Sequence, residues 1–176
     1  ELPGPEQMAL DMMLLERSIN DCDFEIGFRF YSWKGNWLSI GKNQKNLPNR
    51  WEQLFHQGKL QIVRRPSGGE AVLHGGGLTY AIIWKSPYLT RKQAYFHTTK
   101  GLVRGFSELG INLSFGNDSI RSIQDNCFSS STLADLVDSS GCKRIGSAQY
   151  WKGGNLLQHG EILVRPPNKI WRELFA

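Results

Sequence analysis

Two adjacent glycines, Gly68 and Gly69, most constrain what this chain can fold into. They end one apolar run through a pair of arginines and open another, in the order Leu60, Ile62, Val63, Arg64, Arg65, Pro66, Ser67, Gly68, Gly69, Glu70, Ala71, Val72, Leu73, His74. Such a segment reads as strand, turn and strand. Glycine takes positive φ freely and lets backbone N–H groups approach a ligand, while Arg64 and Arg65 can neutralise a phosphate or an acyl carbonyl. An ordinary hairpin turn with exposed arginines fits the same residues, so the segment alone leaves both readings open.

The 176 residues, 40% of them hydrophobic, suffice for one sizeable core, and no low-complexity stretch divides them. A single domain over residues 1–176 is expected. No apolar run approaches the roughly 18 residues of a membrane span, and Glu1 to Pro5 lacks the basic and apolar parts of a signal peptide. Three cysteines at spacings that suit neither a zinc site nor a disulfide framework fit a reducing compartment, the cytoplasm. A net charge of +5 favours acidic partners, but no basic block or RNA-binding signature points to nucleic acid.

Along the chain, Met8, Met12, Leu15 and Ile19 recur at helical spacing, with Glu16 and Arg17 outward, so residues 5–19 read as a packing helix. Phe28–Trp33 and Trp37–Ile40 read as two strands of a hairpin about Lys34-Gly35-Asn36. A short helix is expected over Pro48–Phe55, a strand buried on both faces over Leu78–Trp84, and a longer helix through Tyr95, Leu102, Phe106 and Leu109 that ends at Gly110. Ile111–Phe115 resumes extended structure. Leu133–Val137 and Lys143–Ala148 read as paired strands around Ser139-Ser140-Gly141, and Leu156–Val164 as the strand that closes the sheet. The fold class is α+β, a mixed β-sheet flanked by helices.

A second block, Gly141-Cys142-Lys143-Arg144-Ile145-Gly146-Ser147-Ala148-Gln149, is followed by Gln158-His159-Gly160-Glu161. The small side chains of Gly146, Ser147 and Ala148 would let an extended ligand lie on the backbone while Lys143 reaches a carbonyl or phosphate oxygen. His74 and His159 can hydrogen-bond an acyl carbonyl or orient a turn. With no His/Cys/carboxylate cluster, no metal site is expected, and the lack of a Gly-x-Ser-x-Gly elbow argues against a Ser-His-Asp hydrolase.

Taken together, Arg64-Arg65-Pro66-Ser67-Gly68-Gly69-x-Ala71-Val72-x-His74, Lys143-x-x-Gly146-Ser147-Ala148 and Gln7-Met8-Ala9-Leu10-Asp11 resemble the biotin/lipoate protein ligase family over about residues 5–165. The resemblance implies the fold shared with biotin ligases and class II aminoacyl-tRNA synthetases, and a pocket for an octanoyl or lipoyl chain. Asn126-Cys127-Phe128 is similar to the cysteine-phenylalanine pair that carries the nucleophile in the monomeric octanoyltransferases of that family.

That likeness implies catalysis by Cys127 with Lys143, whose ammonium would lower the thiol pKa and stabilise the acyl oxyanion. It also implies an acyl site built from Arg64, Arg65, Ser67, Gly68, Gly69, Glu70, Ala71, Val72, Leu73, His74, Gly146, Ser147, Ala148, His159 and Gly160. Acyl would pass from an acyl carrier protein to a lipoyl-domain or glycine-cleavage carrier protein, with no cofactor. An ATP- and magnesium-dependent lipoate-protein ligase and a non-catalytic acyl- or nucleotide-binding regulator are the alternatives. Three departures bear on the choice: Glu70 beside the glycine turn would repel a nucleotide phosphate unless it points away, Gly75-Gly76-Gly77 would loosen the loop after His74, and the sequence stops soon after Trp171–Phe175, so that it is either truncated or works without the accessory domain of many lipoate ligases. The first and third favour transfer over ligation. Cys142, next to Lys143 on a strand, is expected to point away from it.

Overall fold

The computed structural model describes residues 1–116 and 135–175. Its frame is a six-stranded sheet in the order β1-β5-β9-β8-β7-β6 and a three-stranded sheet in the order β3-β2-β4. The large sheet consists of β1 (Ile26–Tyr31), β5 (Leu78–Trp84), β6 (Ser114–Phe115), β7 (Leu136–Val137), β8 (Lys143–Lys152) and β9 (Asn155–Ile162). The small one holds β2 (Trp37–Ile40), β3 (Gln61–Arg64) and β4 (Val72–His74). Four helices pack on them: α1 (Gly4–Asn20), α2 (Asn49–His56), α3 (Arg91–Glu108) and α4 (Asn168–Phe175).

The hairpin expected at Lys34-Gly35-Asn36 does not form. β1 pairs antiparallel with β5, whereas β2 pairs parallel with β3 and antiparallel with β4. The physical reason lies in β2, whose Leu38 and Ile40 pack with Trp51, Leu54, Leu73 and Leu174 under α2 and α4, a separate core from that of β1. The parallel β2–β3 pair needs a crossover, which α2 supplies. The segments before and after the glycine turn are likewise not partners, since β3 and β4 flank β2 on opposite sides. Leu156–Val164 was expected to close the sheet, but β9 is interior, paired with β5 and β8 and buried along its whole length.

Strand alternation divides the large sheet into two chemical faces. Tyr80, Ile82, Ile145 and Ile162 pack with Leu102 of α3 on one, while Ala81, Ile83 and Leu157 pack with Met8 and Leu15 of α1 on the other. α3 starts on a capping box, with Thr90 Oγ1 accepting from the Gln93 N–H and the Gln93 side chain accepting from the Thr90 N–H. Tyr80, fully buried on the α3 face, donates to Ser147 Oγ at 2.6 Å. Burial pushes its hydroxyl up to about 12. A raised folded-state value means stability that is complete below the ordinary tyrosine value of about 10 and lost as pH climbs through the folded one. Urea midpoints should therefore fall between about pH 10 and 12, and Tyr80→Phe should flatten that fall; an unchanged slope would exclude Tyr80 as its source.

Candidate active site

Residues from both sheets and from α1 line a cavity of about 290 Å³. The small sheet contributes through its alternation: Ser39, Val72 and His74 face the cavity, while Leu38, Ala71 and Leu73 point to the helix-side core. Ala71 and Leu73, expected at the acyl site, are therefore core residues, and the same period-two rule that aims His74 inward turns them away.

The arginine-glycine turn is held from within. Arg65 is buried, and its guanidinium donates to the carbonyls of Ser39, Gly68 and Glu70 at 2.8, 2.7 and 2.6 Å. Arg64, expected to meet an anion, instead donates to the Gly41 and Gln44 carbonyls at 2.8 and 2.7 Å and does not line the cavity. Gly69 takes φ +89° and lines the cavity, whereas Gly68 does not. Glu70 sits exposed at the cavity edge. The triple glycine is tied rather than loose: Gly76, at φ +72°, accepts from the Arg165 N–H at 2.8 Å.

Two buried histidines connect the layers. His159 Nδ1 lies 3.1 Å from Asp11 Oδ2 and its Nε2 lies 2.6 Å from Ser67 Oγ. A carboxylate only accepts, so Nδ1 carries the proton toward Asp11, and Nε2 is the ring atom that meets Ser67. Asp11 also accepts from Arg29 Nη1 at 2.8 Å and Tyr31 OH at 2.9 Å. Burial, together with the Asp11 charge, drives the Tyr31 hydroxyl far above its ordinary value. His74 repeats the pattern, with Nδ1 2.7 Å from Glu161 Oε2, Nε2 2.8 Å from Ser39 Oγ, and its ring stacked on Trp33 at 4.1 Å. Glu161 Oε1 is buried with no hydrogen-bond partner among the described residues, an acceptor open to a bound donor.

A Ser-His-Asp chain thus forms without the elbow that sequence reasoning required. Ser67 is 1% exposed and does not line the cavity, so the chain holds the glycine turn against β9 rather than presenting a nucleophile. Ser67→Ala should lower unfolding free energy by about 1–3 kcal/mol in urea, the cost of leaving a buried ring nitrogen unpaired; no change would mean the bond carries no stability.

Lys143 lines the same cavity, its Nζ 3.0 Å from Asp135 Oδ1, with both side chains 6% exposed. A register shift in the β7–β8 ladder aims it: Leu136 pairs with Ile145 but Val137 with Lys143, so Arg144 is a surplus residue. Strict alternation would put Lys143 on the α3 face with Ile145. The bulge returns it to the face of Gly146, where a Cβ would meet Lys143 Cε at 2.9 Å. Outside the sheet, Arg144 Nε binds Asp138 Oδ2 at 2.6 Å. Cys142 is exposed and precedes β8. Gly146, Ser147, Ala148, His159 and Gly160 line the cavity. Cys127 lies outside the described residues. The sequence reading missed Asp11, Trp33, Ser39, Thr79, Asp135 and Glu161; of these Asp11 had a signal, closing the Gln7–Asp11 pattern at helical spacing from Met8 and Leu15, and Glu161 another, two residues after His159 in the second block.

Residues 3–174 match the family described as lipoyl protein ligase A/B catalytic domain. The chain belongs to this family. Octanoyltransferase LipM of Carboxydothermus hydrogenoformans is 36% identical over 177 residues, which cover 97% of this chain and 65% of the relative. Octanoyltransferase LipM of Bacillus subtilis is 34% identical over 173 residues, 89% of this chain and 60% of the relative. The chain thus spans less than two thirds of either relative's length. Among solved structures, protein Ta0514 of T. acidophilum superposes with a TM-score of 0.74 at 19% identity, over 98% of this chain and 69% of that one. Lipoate-protein ligase A bound with ATP gives 0.72 at 21%, over 99% and 68%. At such identities the likeness establishes the lipoyl ligase fold. No helix among the described residues is long and apolar enough to cross a membrane.

Proposed function

We propose that this domain transfers an octanoyl group from an acyl carrier protein to a lysine of a lipoyl domain or glycine-cleavage carrier protein, through a thioester on Cys127. The observation that carries this reading is a buried lysine lining a cavity, in a chain whose relatives at 34–36% identity are octanoyltransferases. The Cys127 thiolate adds to the donor thioester carbonyl, the Lys143 ammonium stabilises the oxyanion, and the carrier thiol leaves with a proton. The acceptor lysine amine then adds to the enzyme thioester, loses a proton, and expels the Cys127 thiolate as the amide forms.

Arg65, His159 and Asp11 act by holding the glycine turn. No nucleotide enters either half-reaction, and a single catalytic domain over residues 1–176 carries both. A reducing cytoplasm suits the exposed free thiols of Cys22 and Cys142. The test is intact mass after mixing with octanoyl carrier protein, then with lipoyl domain, in the absence of ATP. The expected result is one octanoyl adduct that disappears as the acceptor gains it. Transfer only with free acid, ATP and magnesium would replace this reading by the ligase, and neither adduct nor transfer by a non-catalytic binding protein.

A further inference from the structure

A second, larger cavity of about 730 Å³ opens beside the first, at the N-terminal half of α3. Arg91, Lys92, Phe96 and His97 line it from the helix, with Phe115 and Gln149 opposite. Phe96 stacks on Phe115 at 5.1 Å yet stays 49% exposed. β8 borders both cavities: Ser147 lines the first and Gln149 the second, and Tyr95 OH donates to the Ser147 carbonyl at 3.2 Å.

The charge of α3 is one-sided. Up to its terminal Glu108 it carries Arg91, Lys92, Lys100 and Arg104 and no acidic residue, and all four are exposed. Among the described residues none of the four makes an ion pair. Lys92, Phe96, Lys100 and Arg104 follow one another at i+4 spacing, a basic ridge interrupted by one aromatic ring. The helix N-terminus adds its partial positive charge at the Arg91 end.

We propose that this face docks the acyl donor: an acidic carrier domain lies along the Lys92–Arg104 ridge and threads its phosphodiester-linked thioester arm through the α3 groove, the phosphate held by Arg91 and Lys92. The inference rests on the transferase reading. The chemistry selects donor over acceptor. The donor brings a phosphodiester and a neutral, partly apolar arm that must reach an enclosed site. The acceptor brings a lysine ammonium, which Arg91 and Lys92 would repel.

The test compares wild type, Arg91→Glu/Lys92→Glu and Lys100→Glu/Arg104→Glu in single-turnover acylation from octanoyl carrier protein and from octanoyl-N-acetylcysteamine, a thioester with neither phosphate nor protein. Both variants should acylate on the order of 100-fold more slowly from the carrier, with the salt dependence of the wild-type rate lost, because steering by opposite charge acts on association. With the small thioester they should match wild type within about twofold. Unchanged rates from the carrier, or equal losses with both donors, would overturn the docking face. Normal acylation with slowed handover to the lipoyl domain would assign the face to the acceptor instead. A wild-type protein acylated by neither donor would overturn the transferase reading itself.

Discussion

Replacing Cys127 by serine is expected to abolish both the octanoyl adduct and all transfer, while the urea midpoint stays that of the wild type. The serine hydroxyl stays protonated near neutral pH, so even beside an ammonium it lacks the nucleophilicity of a thiolate. The exposed thiols of Cys22 and Cys142 serve as internal controls. Each changed to serine should keep wild-type turnover, because both thiols are exposed, Cys22 in a turn beyond α1 and Cys142 just before β8, and neither lines the cavity. Intact mass and a transfer assay on the three variants decide the matter. A Cys127→Ser protein that still transfers would remove the covalent route, and an adduct that moved with Cys142 would relocate the nucleophile.

The second large effect is expected at Lys143. Lys143→Ala should slow acylation by about 100- to 1000-fold, the range for losing one group that stabilises an oxyanion. It should also raise the pH at which Cys127 reacts with iodoacetamide, because the cation that favours the thiolate is gone. The variant leaves Asp135 in a buried position without this cation 3.0 Å away, and breaking a buried pair costs about 3–5 kcal/mol. Stability must therefore be measured beside activity, and Lys143→Ala with Asp135→Asn should recover stability without recovering rate. Lys143→Arg keeps the charge but not the compact ammonium, so rescue should be incomplete. Alkylation curves that coincide for wild type and Lys143→Ala would show that the two side chains do not communicate.

The elements legible in the sequence were those whose pattern is local. α1, α2 and α3 followed from apolar spacing and from breakers such as Gly110, and β5 from an apolar run long enough for a central strand. The pairing of β7 with β8 followed from the turn between them. Partner choice was not legible. Lys34-Gly35-Asn36 looks like a hairpin turn, but Trp37–Ile40 finds its parallel partner at Gln61–Arg64, beyond a helix, because Leu38 and Ile40 need the core that α2 and α4 close.

The site divided in the same way. The glycine turn and the Lys143 block were visible as residue types, and His74 and His159 lie in the cavity they line. The roles of the arginines were not visible, since nothing local says that Arg65 turns inward onto three backbone carbonyls. Asp11 was read as part of a packing helix. It falls on the buried stripe with Gln7, Met8, Leu15 and Ser18, and a carboxylate on such a stripe declares its purpose only when Arg29 and Tyr31 of β1 and His159 of β9 arrive from two distant segments.

The surplus residue at Arg144 makes the placement of the buried Lys143 amine a matter of parity. In a strand of period two, one residue more or fewer is a change of side, and parity is a whole number that no point substitution can alter. Sequence drift across the turn before β8 can thus exchange residue types freely while the amine keeps its address. A ladder regularised with Arg144 retained would pair Arg144 with Val137 and swing Lys143 into the apolar layer beneath α3, whereas deleting Arg144 would remove the bulge and leave Lys143 opposite Val137. The address of the amine is therefore kept by the bulge and not by the residue type that fills it.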